Sequence, residues 1–343
     1  MDCRAGSPPA DRQPIWIPHG GYVRIDVHLT EADLTEQLRQ DVHIGLSAQP
    51  KWLPPKWFYD ARGSELFEAI TELPEYYPTR AEREILRARS GDIASITGAK
   101  TIVELGSGSS DKTRLLLDAL RSHGTLARFV PLDVSETALR AAAQAIDSDY
   151  PELEVHAIVG DFTSHLDQIP PGDGRLVAFL GGTIGNLLPA ERAEFLAALR
   201  KTLHRGEWLL LGTDLVKESG TLVAAYDDAA GVTAEFNRNV LRVLNRELGA
   251  DFVVEAFDHV AVWDPVNEWI EMRLRASRDT TVDVAALGMN VSFSAGEDLL
   301  TEISAKFRRE GVAAELASAG FTARHWWTDT HGRFAVTLAI ADW

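Results

Sequence analysis

Thr101-Ile102-Val103-Glu104-Leu105-Gly106-Ser107-Gly108-Ser109-Ser110-Asp111-Lys112 decides how the rest of the chain is read. Its apolar β-formers carry no helical period and predict a buried strand, and two glycines let the backbone turn tightly against a ligand. A dinucleotide fingerprint has a third glycine where this chain has Asp111, and it seats a pyrophosphate on the helix N-terminus. Here Glu104 precedes the bend and Asp111 follows it, and both would repel a pyrophosphate. A cofactor that carries a cation and no phosphate suits these acids better. The expected one is S-adenosylmethionine, a sulfonium.

Downstream of the bend the pattern alternates, with strands expected at 101–105, 128–133, 154–159, 175–180 and 207–213. Helices are expected at 111–122, 136–147 and 189–203, with Ser135 and Pro189 as start signals. After Asp214 the alternation stops. A helical region over 219–249 precedes strands at 253–263 and 268–276, joined by the turn Asp264-Pro265-Val266-Asn267. A further strand lies near 289–294, and a helix opens at about Glu297. A helix from Arg308 to Ala319 and strands at 322–329 and 333–341 then complete the earlier sheet. Upstream, 33–46 has helical spacing, and the proline- and aromatic-rich 50–60 reads as an ordered loop. Thr79-Arg80-Ala81-Glu82 reads as a capping box that starts a helix running to about Ile96. The expected fold is α/β: a doubly wound, Rossmann-like domain over 80–216 plus 307–343, with a second, α+β substrate-binding domain over 28–79 plus 217–306. That second domain sits over the C-terminal edge of the sheet, where α/β proteins bind ligands. Residues 1–27 are expected to be a disordered tail.

Composition narrows the partners. The 343 residues hold 34 Lys plus Arg against 51 Asp plus Glu, a formal net charge of −17, with no evident stripe of cations for a nucleic-acid backbone. No apolar run reaches the roughly 20 residues of a membrane-spanning helix, and Met1 to Gly21 has no apolar signal core. Cys3 is the single cysteine, so disulfides within the chain are impossible, and a reducing cytosol is expected. The expected protein is a monomer that binds small molecules, not nucleic acid or membrane.

Three positions after the bend agree with the sulfonium cofactor. Asp133 ends the second strand, where a carboxylate accepts ribose hydroxyls. Gly160-Asp161-Phe162 follows the third strand and suits the adenine amine and ring face. Lys112 opens the next helix and suits the methionine carboxylate. Glu104-Leu105-Gly106-Ser107-Gly108, Asp133 and Asp161-Phe162 together resemble the class I S-adenosylmethionine-dependent methyltransferases.

Longer segments resemble one family among them. These are Lys56-Trp57-Phe58-Tyr59-Asp60, Leu73-Pro74-Glu75-Tyr76-Tyr77-Pro78-Thr79-Arg80, Gly181-Gly182-Thr183-Ile184-Gly185-Asn186, Gly212-Thr213-Asp214, Ala224-Ala225-Tyr226-Asp227-Asp228, Phe236-Asn237-Arg238-Asn239 and Thr301-Glu302-Ile303-Ser304. They are similar to the L-histidine Nα-methyltransferases, which make hercynine in ergothioneine biosynthesis. The resemblance implies that Asn186 and Tyr226 hold the substrate carboxylate and that Gly181 and Tyr59 lie near the amine. It also implies that Glu302 and Ser304 take the imidazole nitrogens, with Tyr76 and Met272 as walls. Tyr59 is the candidate to receive the amine proton.

Without the resemblance, Asn186 reads as a turn residue and Tyr226 as helix core. Met272 alternates with Ile270 and Leu274, which suits core packing as well as pocket lining. Glu302 and Ser304, two apart on an expected helix, point to different faces and would need a distorted or terminal turn to meet one ring. Three other readings stay open: a methyltransferase for another small amino acid or amine, a dinucleotide oxidoreductase, and a non-catalytic S-adenosylmethionine-binding protein.

Overall fold

The computed structural model describes residues 23–108, Ser110 and 112–342; residues 1–22 of the expected tail, Cys3 among them, lie outside the described residues, as do Ser109 and Asp111. The strand expected at 101–105 forms as Thr101–Leu105, with every side chain buried. It lies inside an eight-stranded sheet ordered Val23–Val27, Glu154–Val159, Arg128–Asp133, Thr101–Leu105, Arg175–Phe179, Trp208–Asp214, Phe334–Ala341, Phe321–Thr328. Only Phe334–Ala341 runs against the others. Helices Pro78–Thr97, Arg114–His123 and Glu136–Asp149 cover one face, while Pro189–Thr202 and Arg309–Ser318 cover the other. With both faces buried, the central strands read in sequence as nearly unbroken apolar runs. This is a doubly wound α/β fold. The strand order reverses between Thr101–Leu105 and Arg175–Phe179, and the loops after those two strands flank the crevice where such sheets take ligands.

Part of the expected tail is a strand instead. Val23–Val27 pairs in parallel with Val155–Val159. Its alternation puts Val23 and Ile25 in the core, and Asp26 bonds to His156 at 2.8 Å.

A second sheet is ordered Lys51–Trp52, Asp298–Ala305, Trp269–Ala276, Phe257–Asp264. It packs with helices Glu31–Ser47, Ala61–Thr71, Ser219–Tyr226 and Val232–Leu248 around a core drawn from residues 38–77 and 222–299. The turn at Asp264 forms as expected, its carboxylate accepting the N–H groups of Val266 (2.7 Å) and Asn267 (3.1 Å).

Four expectations need correction here. The long helix over 219–249 is two helices, because the Asp228 carboxylate accepts the N–H groups of Val232 and Thr233 and so starts a new one. The strand expected from 253 begins at Phe257, and Thr280–Val284 is a strand that pairs with Met289–Phe293. The helix after Thr79 starts at Pro78, and Glu82 takes no part in a cap.

The fourth correction matters most: the helix expected at Glu297 is the strand Asp298–Ala305. Glu297 does not start a helix; its carboxylate pairs with Lys51 and accepts the N–H of Ser294. Asp298 bridges Arg273 and Arg275 on the neighbouring strand and fixes the register. That register then shifts at a bulge, since Leu300 opposes Arg273 but Glu302 opposes Met272. Thr301 is the extra residue, its hydroxyl donating to Asn237 Oδ1 (2.6 Å) and the Met272 carbonyl (2.9 Å).

Candidate functional site

The glycine bend is braced from below. The buried Glu104 carboxylate accepts from the hydroxyls of Ser107 (2.8 Å), Ser110 (2.8 Å) and Thr113. Its burial raises its pKa, and the hydroxyls work against the shift. Glu104 therefore shapes the loop with the oxygens that could otherwise reach a ligand. Gly106 and Gly108 both adopt positive φ, at 67° and 49°, which side chains rarely allow. A Cβ on Gly106 would stand 4.0 Å from the Phe162 ring, so loop and ring face each other.

Asp133 joins them, accepting the Gly108 N–H at 2.9 Å and the Ser135 N–H at 2.9 Å. Phe162 lies edge-on to Phe179, with centroids 5.1 Å apart. One oxygen of Asp161 is held by the Thr163 N–H and hydroxyl, and the Asp161 N–H donates to His165 Nδ1 (3.1 Å). A ring face at Phe162, a carboxylate at the second strand end and, among the described residues, no cluster of cations fit a nucleoside bearing a sulfonium. They do not fit a pyrophosphate.

The acceptor half is aromatic. Tyr59 lies edge-on to Phe67 and Phe236, with centroids 5.6 and 5.5 Å apart, and Phe67 lies edge-on to Tyr76 at 6.2 Å. Tyr76 in turn lies edge-on to Tyr226 at 6.4 Å. The phenols of Tyr59, Tyr76 and Tyr226 are all pushed well above 10, by burial first and then by neighbouring acidic groups, with Glu302 acting on each.

Glu302 and Ser304 lie on one face of the bulged strand, with Glu302 opposite Met272 and Ser304 opposite Ile270. This removes the geometric conflict that a helix posed, because residues two apart on a strand share a side. The Tyr226 hydroxyl meets Ser304 Oγ at 2.7 Å. Met272 is buried in the core, on a strand face that continues into Ile270 and Leu274.

Glu302 itself is 7% exposed, and among the described residues its carboxylate makes no hydrogen bond or ion pair. Burial pushes it up to about 8, eased only by the charge of Lys306.

Asn186 ends the short turn Thr183–Asn186, which packs hard on this strand. A Cβ on Gly185 would lie 2.8 Å from the Ala305 carbonyl oxygen. Behind Tyr226, its carbonyl accepts from His259 Nε2 (2.7 Å), and His259 Nδ1 accepts from Asn237 Nδ2 (2.8 Å). Burial lowers the His259 pKa, so the ring is neutral and its tautomer is set by these two partners.

The two halves meet at a residue whose sequence position suggested only a cap. Glu82, fully buried, accepts the Gly181 N–H at 2.8 and 3.0 Å and pairs with Lys112. Gly181 therefore has only its carbonyl left for a ligand amine, and Lys112 is held at the rim between loop and turn. Lys306 and Asp214, also missed, lie behind Tyr226. A buried lysine or glutamate carries no local sequence signature, and Asp214 was visible only as part of Gly212-Thr213-Asp214.

A family model described as histidine-specific methyltransferase, S-adenosylmethionine-dependent, matches residues 38–341. The chain is 59% identical over 313 residues to the histidine N-alpha-methyltransferase of Mycolicibacterium smegmatis, covering 91% of this chain and 98% of that protein. It is 58% identical over 317 residues to the protein of that name from Mycobacterium tuberculosis, covering 92% and 99%. Ergothioneine biosynthesis protein 1 of Neurospora crassa is 28% identical over 320 residues, covering 89% of this chain and 36% of that protein.

Proposed function

The chain belongs to the histidine-specific, S-adenosylmethionine-dependent methyltransferases, and we propose that it methylates the α-amino nitrogen of free L-histidine to the trimethylated product, hercynine, for ergothioneine biosynthesis. The observation that carries the choice of acceptor is Glu302, a buried carboxylate with no partner among the described residues, two positions from a buried hydroxyl. An unpaired buried carboxyl is costly, and an imidazole N–H relieves that cost where a phenyl ring cannot. Ser304 takes the second ring nitrogen, so the pair fixes the ring's orientation.

In this reading the second domain, 28–79 plus 217–306, supplies most acceptor contacts and the Rossmann-like domain supplies the cofactor contacts. Gly106 and Gly108 admit the cofactor, Asp133 takes its ribose, Asp161 and Phe162 its adenine, and Lys112 its carboxylate. When bound, the cofactor supplies a methyl carbon already activated by its sulfonium leaving group. The protein's task is to align the amine and to let it arrive deprotonated. Tyr59, with its phenol pushed well above 10, stays protonated at neutral pH. Its oxygen accepts a hydrogen bond from the amine while its own O–H donates to water, so that it takes the amine proton as it hands its own to water and no phenolate forms. Asn186 and Tyr226 hold the carboxylate while Gly181 and Tyr59 grip the amine lightly, which leaves room for successive methyl groups.

Mass spectrometry of single amino acids incubated with protein and cofactor tests the proposal. A trimethylated product is expected from L-histidine alone. Binding of tryptophan equal to that of histidine in calorimetry would sink the assignment. Glu302→Ala should weaken histidine binding strongly and leave cofactor affinity almost unchanged.

A further inference from the structure

Lys306 is the residue the mechanism leaves unexplained. Its side chain is fully buried, immediately after the strand that carries Glu302 and Ser304. Its ammonium reaches three oxygens: Ser304 Oγ at 2.8 Å, the Tyr226 hydroxyl at 2.9 Å and Asp214 Oδ2 at 3.0 Å. Burying an ammonium is costly, so its position needs a reason. Neutralising Asp214 is not a sufficient one. That carboxylate already has Lys217 at 2.7 Å and accepts the Tyr77 hydroxyl at 2.8 and 2.9 Å. Two ammonium groups share one carboxylate: Lys217 turns its other donors to the Tyr77 hydroxyl and the Leu215 carbonyl, and Lys306 turns its own to Tyr226 and Ser304.

We propose that Lys306 is the cation that recognises the substrate's carboxylate, acting through the Tyr226 hydroxyl and not by contact, with Ser304 completing the hydrogen-bonded set. The inference rests on the reading that Tyr226 faces that carboxylate. An ammonium only donates, so both hydroxyls accept from Lys306 and direct their own protons elsewhere. With Tyr226 and Ser304 in mutual contact, one of those protons lies between them and the other is free to face an incoming acceptor. A positive charge behind a hydroxyl makes it a stronger donor, above all to an anion in a low-dielectric site. Lys112, the cation at the opposite rim, is already paired with Glu82. Lys306 thus makes the pocket selective for an amino acid over the corresponding decarboxylated amine. It is a positioning residue that never meets the reacting atoms.

Histamine has histidine's ring and amine without the carboxylate, and it separates this role from a structural one. The KM of L-histidine and the inhibition constant of histamine are measured for wild type, Lys306→Met, Lys306→Gln and Tyr226→Phe. The expected result for Lys306→Met is a KM for histidine raised about ten- to a hundred-fold, the range of a hydrogen bond to a charged group. The inhibition constant of histamine should rise by a clearly smaller factor, because Lys306 reaches the ring only through Ser304 and Glu302, and the affinity for cofactor should change less than about two-fold. Lys306→Gln keeps the N–H donors without the charge; it should share most of the loss, and it replaces Lys306→Met should that variant not fold. Equal losses for histidine and histamine, or full recovery in Lys306→Gln, would overturn the inference. If Tyr226→Phe leaves the KM of histidine unchanged, the carboxylate reading and the inference fall together. If Tyr226→Phe raises it and Lys306→Met does not, the inference alone falls.

Discussion

Glu302→Gln should make the ligand-free protein more resistant to unfolding in mild alkali, although it removes a residue placed at the centre of the site. Burial holds the Glu302 carboxyl at about 8, against an ordinary value of 4.5. A carboxyl raised on folding binds its proton more tightly in the native state, so its contribution to stability is complete below 4.5 and is lost as pH rises through 8. Each pH step between those values costs about 1.4 kcal/mol, so raising pH from about 6 to about 8 removes up to about 2–3 kcal/mol. Glutamine has the same shape and no proton to lose. The wild type and Glu302→Gln should therefore diverge over that interval by about that amount, with the variant gaining. Urea unfolding of both proteins at matched pH values, without histidine or cofactor, gives the difference directly. Parallel stability curves would refute the argument, because they require Glu302 to be ionised or partnered in the empty site. A divergence of the opposite sign would refute it equally.

Two further perturbations probe the junctions. Gly185→Ala places a methyl group 2.8 Å from the Ala305 carbonyl oxygen, so the turn bearing Asn186 must lift from the strand bearing Ser304. We expect a loss of about 1–3 kcal/mol in thermal unfolding and a KM for histidine raised several-fold; an unchanged KM would show that the contact does not set the site. Glu82→Gln keeps an acceptor for the Gly181 N–H but removes the charge opposite Lys112. Cofactor affinity in calorimetry should fall about ten-fold, and unchanged affinity would mean that Lys112 needs no anchor.

The eight-stranded sheet was legible because it is buried on both faces. Thr101–Leu105, Arg128–Asp133 and Glu154–Val159 form over the ranges that their apolar runs predict. Val23–Val27 was missed because five residues of alternation next to a polar segment look like tail. The acceptor half was legible mainly through family resemblance. Tyr76 and Tyr226 are buried aromatic residues, and nothing local separates such a residue from plain core. Glu82 sits three residues after Thr79, and the capping pattern accounted for it fully at the level of sequence. Its real partners, Gly181 and Lys112, lie far along the chain. Glu302 and Ser304 were placed on the wrong element, and the bulge explains why no simple period could assign them.

The bulge at Thr301 has a consequence for how substrate preference changes in this family. In an unbroken register Leu299, Thr301 and Ile303 would share the inner face, and Glu302 would stand beside Glu271 on the outer one. The single extra residue exchanges these sets after Leu299, turning an ordinary amphipathic strand into one that offers a carboxylate and a hydroxyl to the interior. On the proposed roles of Glu302 and Ser304, the choice of acceptor is written partly in spacing. A lineage that loses one residue here would exchange its polar pocket wall for an apolar one without altering any retained side chain. On that proposal a deletion in this strand is a specificity mutation, which a position-by-position comparison of residue types would overlook.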